Sequence, residues 1–388
     1  HQLRSLFSVD RVVSNSRLER ALRRLTAGGQ SVATIAIPDE AKNAWASPLV
    51  GTPLRFGSQH GDRELVTAVI ELRRTKSDAE IALFREAAIS TTDAHLAVAA
   101  AAKPGVAERA LSALFTGVLA ARGCSQGYGT ILTQRGEVLH NFHHDGTLAA
   151  GALLLVDGGG EVSAGYGCDV TRTWPVGGTF SPRQRGAYEA VLQAQIDAIA
   201  RCRVGVGYRE VHDTACLTLA RFLADEGLLK VTPEVAVEAG AHALFFPHGT
   251  GHLLGLDVHD LENFGDLPAY PPNVSRPDAF GTCYLRLDLP LERNWIVTVE
   301  PGFYVVPAIL NDPTLRERFS QMVDFERAGQ WSGFGGIRIE DDIAITDGVA
   351  ENLTFAVPTA VDDVENAMQQ ALSLDIIVAQ SHMNAAVA

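Results

Sequence analysis

The chain has 388 residues, 46% of them hydrophobic and 20% charged, the balance of a folded protein with room for one large domain and a smaller one. A formal net charge of −14 argues against a nucleic-acid backbone or an anionic membrane as partner. No apolar run approaches the roughly 20 residues that span a bilayer. The residues from His1 to Ser5 carry no signal-peptide pattern. The five cysteines are odd in number and lack CxxC spacing, so they read as reduced thiols in a cytoplasmic protein.

Residues 1–70 read as a short α/β domain. Arg11 to Leu25 has an amphipathic helical pattern, Val32 to Ile37 a short strand pattern ending at Pro38, and Val50 to Gln59 is a Gly- and Pro-rich loop. Leu65 to Leu72, rich in β-branched residues, reads as a last strand. Ser77-Asp78-Ala79-Glu80 is a capping box, and the helix it opens extends to Ala102 before Lys103-Pro104-Gly105. Ala107 to Arg122 is a second helix. Tyr128 to Thr133, Ala152 to Val156 and Val170 to Val176 follow as strands. Ser181-Pro182 starts a third helix that runs to about Arg203, and Tyr208 to Glu226 is a fourth. Tyr284 to Leu289, Ile296 to Glu300 and Gly336 to Thr346 complete the strands, and the Ala-rich tail from about Leu372 reads as loosely held. Helical runs set against antiparallel-looking strands imply an α+β domain over 71–370, followed by a tail, 371–388. Within the domain, two helices and a hairpin are followed by two helices and further strands, as in an internal repeat.

The stretch Val156 to Trp174 carries Asp157 and Asp169 on the two arms of one glycine-broken hairpin. Asp157 alone is open to a turn role. Asp169 belongs to a β-branched and aromatic strand, where a buried carboxylate needs a partner, a proton or a metal. In "HGTGHLLGLDVHD", His248, His252 and His259 crowd into a glycine-rich segment that can bring backbone close to a ligand. The glycines between His248 and His252 argue against a helical zinc motif. Glu300 ends the strand "IVTVEPG". Arg338 and Glu340 are two apart on an isoleucine-flanked strand and share a face. Four carboxylates cannot share an interior as bare anions. Two divalent cations held by the four carboxylates and one imidazole from the His248–His259 segment would balance the charge, and the mostly hard-oxygen donor set suits Mn²⁺, with Co²⁺ and Zn²⁺ tolerated.

Taken in order, D-x-G-x-E, G-Y-x-x-D-x-T-R-T, H-G-x-x-H-x-x-G-L-x-V-H-D, V-E-P-G and G-x-R-I-E-D resemble the metallopeptidase family with the pita-bread fold, over about residues 71–360. That family includes methionine aminopeptidase, aminopeptidase P, prolidase and the metal-free creatinases. The resemblance implies Asp157, Asp169, His252, Glu300 and Glu340 as ligands of two metal ions, with Asp169 and Glu340 bridging. It implies His140, in "LHNF", as a residue that steadies substrate, although Asn141 stands where Tyr is usual. It gives His248 and His259 substrate-binding and proton-handling roles, and makes Arg338 the arginine that orients a ligand carboxylate. Arg286 lies 14 positions before Glu300 (300 − 286), where prolidases carry an arginine that grips the substrate's C-terminal carboxylate. The expected activity is therefore hydrolysis of Xaa-Pro dipeptides, releasing proline, by a metal-bridging hydroxide, with Glu300 shuttling the proton and His259 stabilising the oxyanion. The alternative is an aminopeptidase P acting on longer Xaa-Pro peptides. A homodimer is implied as well. Two departures stand out: only about 70 residues precede the catalytic domain, and the aspartates are one residue further apart than usual, an insertion assigned to the hairpin tip among Val162, Ser163 and Ala164.

Overall fold

The computed structural model describes residues 10–56 and 62–370. The Ala-rich tail, residues 1–9 and part of the Val50–Gln59 loop lie outside the described residues. The described residues divide into two compact units, one falling within 1–72 with 262–268 and the other within 73–261 with 269–370.

The smaller unit carries α1 (Leu18–Ala27), entered through a 3₁₀ turn at Asn15–Arg17, and α2 (Glu40–Val50), whose first turn is capped by the Asp39 carboxylate. Val32–Ile37, expected as a strand, keeps a single bridge residue at Ile35. Leu65–Leu72, also expected as a strand, lies within a helix, α3 (Arg63–Arg74). Its β-branched content suggested sheet, but Asp62 caps the Leu65 N–H, and Val66 and Ile70, four apart, are its buried residues. Tertiary burial at helical spacing outweighs local propensity here.

The larger unit opens with α4 (Asp78–Ala101), whose capping box is formed in both directions between Ser77 and Glu80, and α5 (Glu108–Ala121) packs against it. The strands β1 (Ser125–Gln126), β2 (Ile131–Thr133), β3 (Leu153–Asp157), β4 (Gly160–Glu161) and β5 (Thr171–Pro175) follow. They form an antiparallel β2-β3-β5 sheet and a small β1-β4 pair. A second helical pair, α6 (Pro182–Ile199) and α7 (Tyr208–Asp225), leads through α8 (Pro233–Ala239) to β6 (Ile296–Val299) and β7 (Gly302–Tyr304). Three short helices, α9 (Pro307–Leu310), α10 (Pro313–Arg318) and α11 (Phe325–Gly329), precede β8 (Gly336–Arg338), β9 (Asp341–Ala344) and β10 (Glu351–Asn352). The order β10-β9-β6 makes a second three-stranded sheet, and β7 pairs with β8. The helix α12 (Val361–Gln369) packs on α4 and β5.

Two strand expectations are corrected. Tyr284–Leu289 forms no strand: a 3₁₀ turn covers Thr282–Tyr284, and the backbone beyond it bonds to loop and helix ends, Asp288 N–H to Ala269 O and Leu289 O to the Tyr208 N–H. Burial of Leu285 and Leu287 on one side produced the strand-like alternation. Gly336–Thr346 breaks into β8 and β9 at Ile339-Glu340, and there the Glu340 N–H donates to Thr171 O. That isolated Thr171–Glu340 bridge joins the two three-stranded sheets.

The internal repeat is visible in detail. In the turn between α4 and α5, Gly105 N–H donates to Leu148 O and Leu148 N–H to Val106 O; in the turn between α6 and α7, Gly205 N–H donates to Leu291 O and Leu291 N–H to Val206 O, all at 2.8 Å. Gly105 and Gly205 share a left-handed conformation, with φ of 86° and 85°. The core between helices and sheets is filled by Phe84, Phe115, Trp174, Tyr188, Tyr208 and Trp295. All five cysteines are free thiols, and no described helix is long and apolar enough to cross a membrane.

Candidate metal centre

The arms of the hairpin are held in register. Asp157, the last residue of β3, lies opposite Thr171, and Gly158 N–H reaches Val170 O. The arms cross so closely at Gly159 that a Cβ there would fall 1.7 Å from Cys168 O, so only glycine fits. The tip is absorbed in a turn in which Gly165 N–H bonds Val162 O. Both aspartates consequently converge on one phenol: Tyr128 Oη, with a single proton to donate, lies 2.5 Å from Asp157 Oδ1 and 2.5 Å from Asp169 Oδ1.

The remaining donors come from the second sheet. Thr298 N–H donates to His252 O and Glu300 N–H to Thr250 O, so the Thr250–Leu254 segment lies against β6 as an extra strand. This brings His252 Nε2 to 3.3 Å from Asp169 Oδ2 and 3.9 Å from Glu300 Oε1. Its Nδ1 is 2.9 Å from Leu253 O, an acceptor only, so Nδ1 carries a proton and Nε2 is left for a ligand. Glu340 arrives through the inter-sheet bridge, and its Oε2 accepts from Thr171 Oγ1 at 2.6 Å.

Ligand atoms of three overlapping trios each lie within 4.8 Å of one another: Asp157, Asp169 and Glu340; His252, Glu300 and Glu340; and Asp169, His252 and His259. The five residues expected to hold metal are therefore brought together, and His259 joins them from the exposed rim, its ring 4.4 Å from that of His252. The electrostatics fit cations. Burial, then the neighbouring Asp169, Glu300 and Asp157 charges, push the Glu340 carboxyl far above its ordinary value. Burial likewise carries Glu300 up to about 7. Burial pulls the His252 ring down, but the bond and charge of Asp169 outweigh it and raise the ring to about 9. Crowded carboxylates that retain protons, beside an imidazole drawn toward its cationic form, mark a pocket in want of positive charge.

Arg338 supplies part of that charge. It donates to Asp157 Oδ2 at 2.5 Å, to Thr171 Oγ1 at 3.1 Å and to Tyr304 Oη at 3.1 Å. Tyr304 Oη in turn lies 2.8 Å from His248 Nε2. Burial drives the His248 ring down to about 3, so it is neutral, and its Nδ1, 2.8 Å from Gly249 O, carries the proton. His248 Nε2 thus accepts from Tyr304. Arg286 stands 3.4 Å from His259 Nδ1. His140 is exposed, stacks parallel to Phe142 at 6.4 Å and has no hydrogen bond to the five donors among the described residues.

Tyr128, Thr171 and Tyr304 were missed by the sequence reading. Tyr128, set between Gly127 and Gly129 just before β2, carried a weak signal; Thr171 sits inside the hairpin motif, where its role was hidden by its strand propensity.

Comparisons with known proteins agree with this geometry. Residues 82–347, which contain every donor above, match the model of metallopeptidase family M24. A probable Xaa-Pro aminopeptidase, pepP, of Penicillium rubens is 34% identical over 373 residues, covering 93% of this chain and 76% of that protein. A probable Xaa-Pro aminopeptidase of Paracoccidioides lutzii is 33% identical over 369 residues, covering 93% of this chain and 75% of that one. Among solved structures, the Pseudomonas aeruginosa aminopeptidase PepP superposes with a TM-score of 0.75 at 26% identity, covering 94% of this chain and 76% of its own. The chain belongs to metallopeptidase family M24 and has its pita-bread fold. Within that family the relatives it resembles are named for Xaa-Pro aminopeptidase activity, which favours the alternative reading over the dipeptidase.

Proposed function

We propose that the chain is a Xaa-Pro aminopeptidase, removing the N-terminal residue that precedes proline from a small peptide. The observation that carries this is the pair of overlapping donor trios formed by Asp157, Asp169, His252, Glu300 and Glu340, which a third trio extends to His259, with relatives of that name alignable over 93% of the chain as support. These five residues would hold two divalent ions, and one imidazole among hard oxygens is compatible with Mn²⁺, Co²⁺ or Zn²⁺. Once bound, the pair lowers the pKa of the attacking water and polarises the scissile carbonyl.

The protein's own groups do the rest. Arg338 and Tyr128 hold Asp157 in place, and Thr171 holds Glu340. Glu300, whose Oε2 lies 3.8 Å from His248, takes the water proton and returns it to the departing proline nitrogen. His259, on the exposed rim, donates to the carbonyl oxygen as charge builds there. His248, its Nε2 engaged by Tyr304, and the exposed His140 line the approach of the substrate. A homodimer belongs to the same reading and is checked by sedimentation velocity.

The second reading, a prolidase, rests on Arg286 as a clamp for a dipeptide's carboxylate. Titrating the apoprotein with Mn²⁺, Co²⁺ and Zn²⁺ over Gly-Pro, Met-Pro and Ala-Pro-Ala separates the two. Faster turnover of the tripeptide is expected. Exclusive cleavage of dipeptides, together with a KM that rises for dipeptides alone in Arg286→Ala, would replace the proposal with the prolidase.

A further inference from the structure

The turn between α6 and α7 carries Arg201 and Arg203, and with Arg221 of α7 they line a groove of about 550 Å³. That volume lies in the range of small-molecule sites. No metal-centre donor lines it. Its lining mixes charged and apolar groups: the carboxylates of Asp197 and Glu210 and the hydroxyl of Thr218 line it beside Val206 and Leu217.

The charges there are unevenly used. Asp197 accepts from Thr218 Oγ1 at 2.7 Å and from Gln193 Nε2 at 2.8 Å. Arg201 meets Glu210 at 3.4 Å, with both side chains more than half exposed (56% and 55%), so the pair is weak and exchangeable. The guanidinium groups of Arg203 and Arg221 have no hydrogen bond or ion pair among the described residues.

The internal repeat supplies a control. Lys103 occupies the position of Arg203 in the first half, two residues before the matching glycine. Its Nζ is held at 2.6 Å by Met368 O, at the end of α12. In the second half, the same position carries a forked guanidinium, and no such acceptor meets it. Unanswered cations are also against the trend of a chain with 46 acidic and 32 basic residues.

We propose that this groove is a binding site for a small anion bearing a carboxylate or phosphate group. Arg203 and Arg221 grip the anion through their planar N–H forks, and Arg201 is recruited from Glu210. Guanidinium forks match both oxyanions, and such charge-assisted bonds are stronger than neutral ones.

The test is calorimetric titration of the metal-loaded full chain with inorganic phosphate and, separately, succinate, at an ionic strength fixed with NaCl. The native protein is compared with the double variant Arg203→Ala/Arg221→Ala. Anion taken up at the metal centre is common to both proteins, so their difference reports the groove. Both arginines are exposed, so the double variant should melt where the native protein does. The expected result is a Kd weakened at least about tenfold in the double variant for the preferred anion. Preference for phosphate or for succinate identifies which group the natural ligand carries. Equal affinity in the two proteins, or no binding by the native protein up to about 10 mM, would overturn the site.

Discussion

The two halves of the larger unit are built alike and equipped differently. Each has a helical pair, a turn closed by matching hydrogen bonds, and a strand whose end delivers a candidate metal ligand. The first helix of each pair even sends a polar side chain to that strand end from the same repeat position. His95 of α4 reaches Gly158 O at 3.0 Å, next to Asp157, and Gln195 of α6 reaches Val299 O at 3.2 Å, next to Glu300. The first half, however, delivers only the carboxylates of Asp157 and Asp169, whereas the second delivers His252, Glu300, Glu340 and the guanidinium of Arg338. A duplicated scaffold positions the donors, and the asymmetry of the side chains placed on it makes the chemistry.

The contact between the halves is where the largest effect is expected. Glu340 belongs to two of the three donor trios and reaches the first half through the Thr171 bridge. Glu340→Ala should abolish hydrolysis and leave the purified protein depleted of metal by elemental analysis, with its circular dichroism unchanged. Normal metal content in that variant would show that the trios do not share their metals through Glu340.

The next effect is on stability. Arg172 of β5 is fully buried. It donates to Asp341 Oδ1 at 2.7 Å, to Glu340 O at 2.7 Å and to Val357 O at 2.8 Å, tying the first half to the second. Arg172→Met leaves the Asp341 carboxylate buried without its cation and should cost about 3–5 kcal/mol in denaturant unfolding. A loss below about 1 kcal/mol would mean that Arg172 contributes little to joining the halves.

Gln195 and His95 divide more finely. Gln195 Nε2 donates to Asp341 Oδ2 at 3.0 Å as well as to Val299 O, whereas His95 makes its one bond and its Nδ1 has no hydrogen-bond partner among the described residues. Gln195→Leu should therefore cost about 2 kcal/mol, since it strands two buried acceptors. Equal destabilisation by His95→Leu and Gln195→Leu would break the distinction between the halves.

Much of this was legible in the sequence because it depends on short-range chemistry. The capping box at Ser77 and the Ser181-Pro182 start begin helices where the sequence predicts, and β3 and β5 form the hairpin arms that hold Asp157 and Asp169. The four carboxylates Asp157, Asp169, Glu300 and Glu340 stood out because carboxylates on apolar strands demand an explanation, whereas only the family resemblance singled out His252 among the three histidines of its segment. What escaped depends on what packs against what. Leu65–Leu72 has strand propensity but is buried at helical spacing, and Leu285 and Leu287 alternate like a strand while their backbone bonds to loops. Tyr128 and Tyr304 are ordinary aromatics until the fold brings one onto two carboxylates and the other between Arg338 and His248.

The smallest expected effect exchanges the two halves' solutions directly, through His95→Gln. Burial drives the His95 ring down to about 3, so the native state holds it neutral, donating to Gly158 O. In the unfolded chain the ring titrates near 6.5. Below that pH the unfolded state takes up a proton that the native state refuses, so stability falls as pH drops through 6.5 and goes on falling toward 3. One unit below 6.5, the loss from this residue is about 1.4 kcal/mol. Gln cannot titrate and keeps an amide donor for Gly158 O, as Gln195 does for Val299 O. Its variant should lose correspondingly less stability between pH 7 and 5.5 in matched urea unfolding curves. His212, His242 and His248 are also held neutral by burial and are present in both proteins, so they cancel in the difference. Parallel pH profiles for the two proteins would mean that the buried site of His95 admits the proton, and that the first half is less tightly closed around Asp157 than the second is around Glu300.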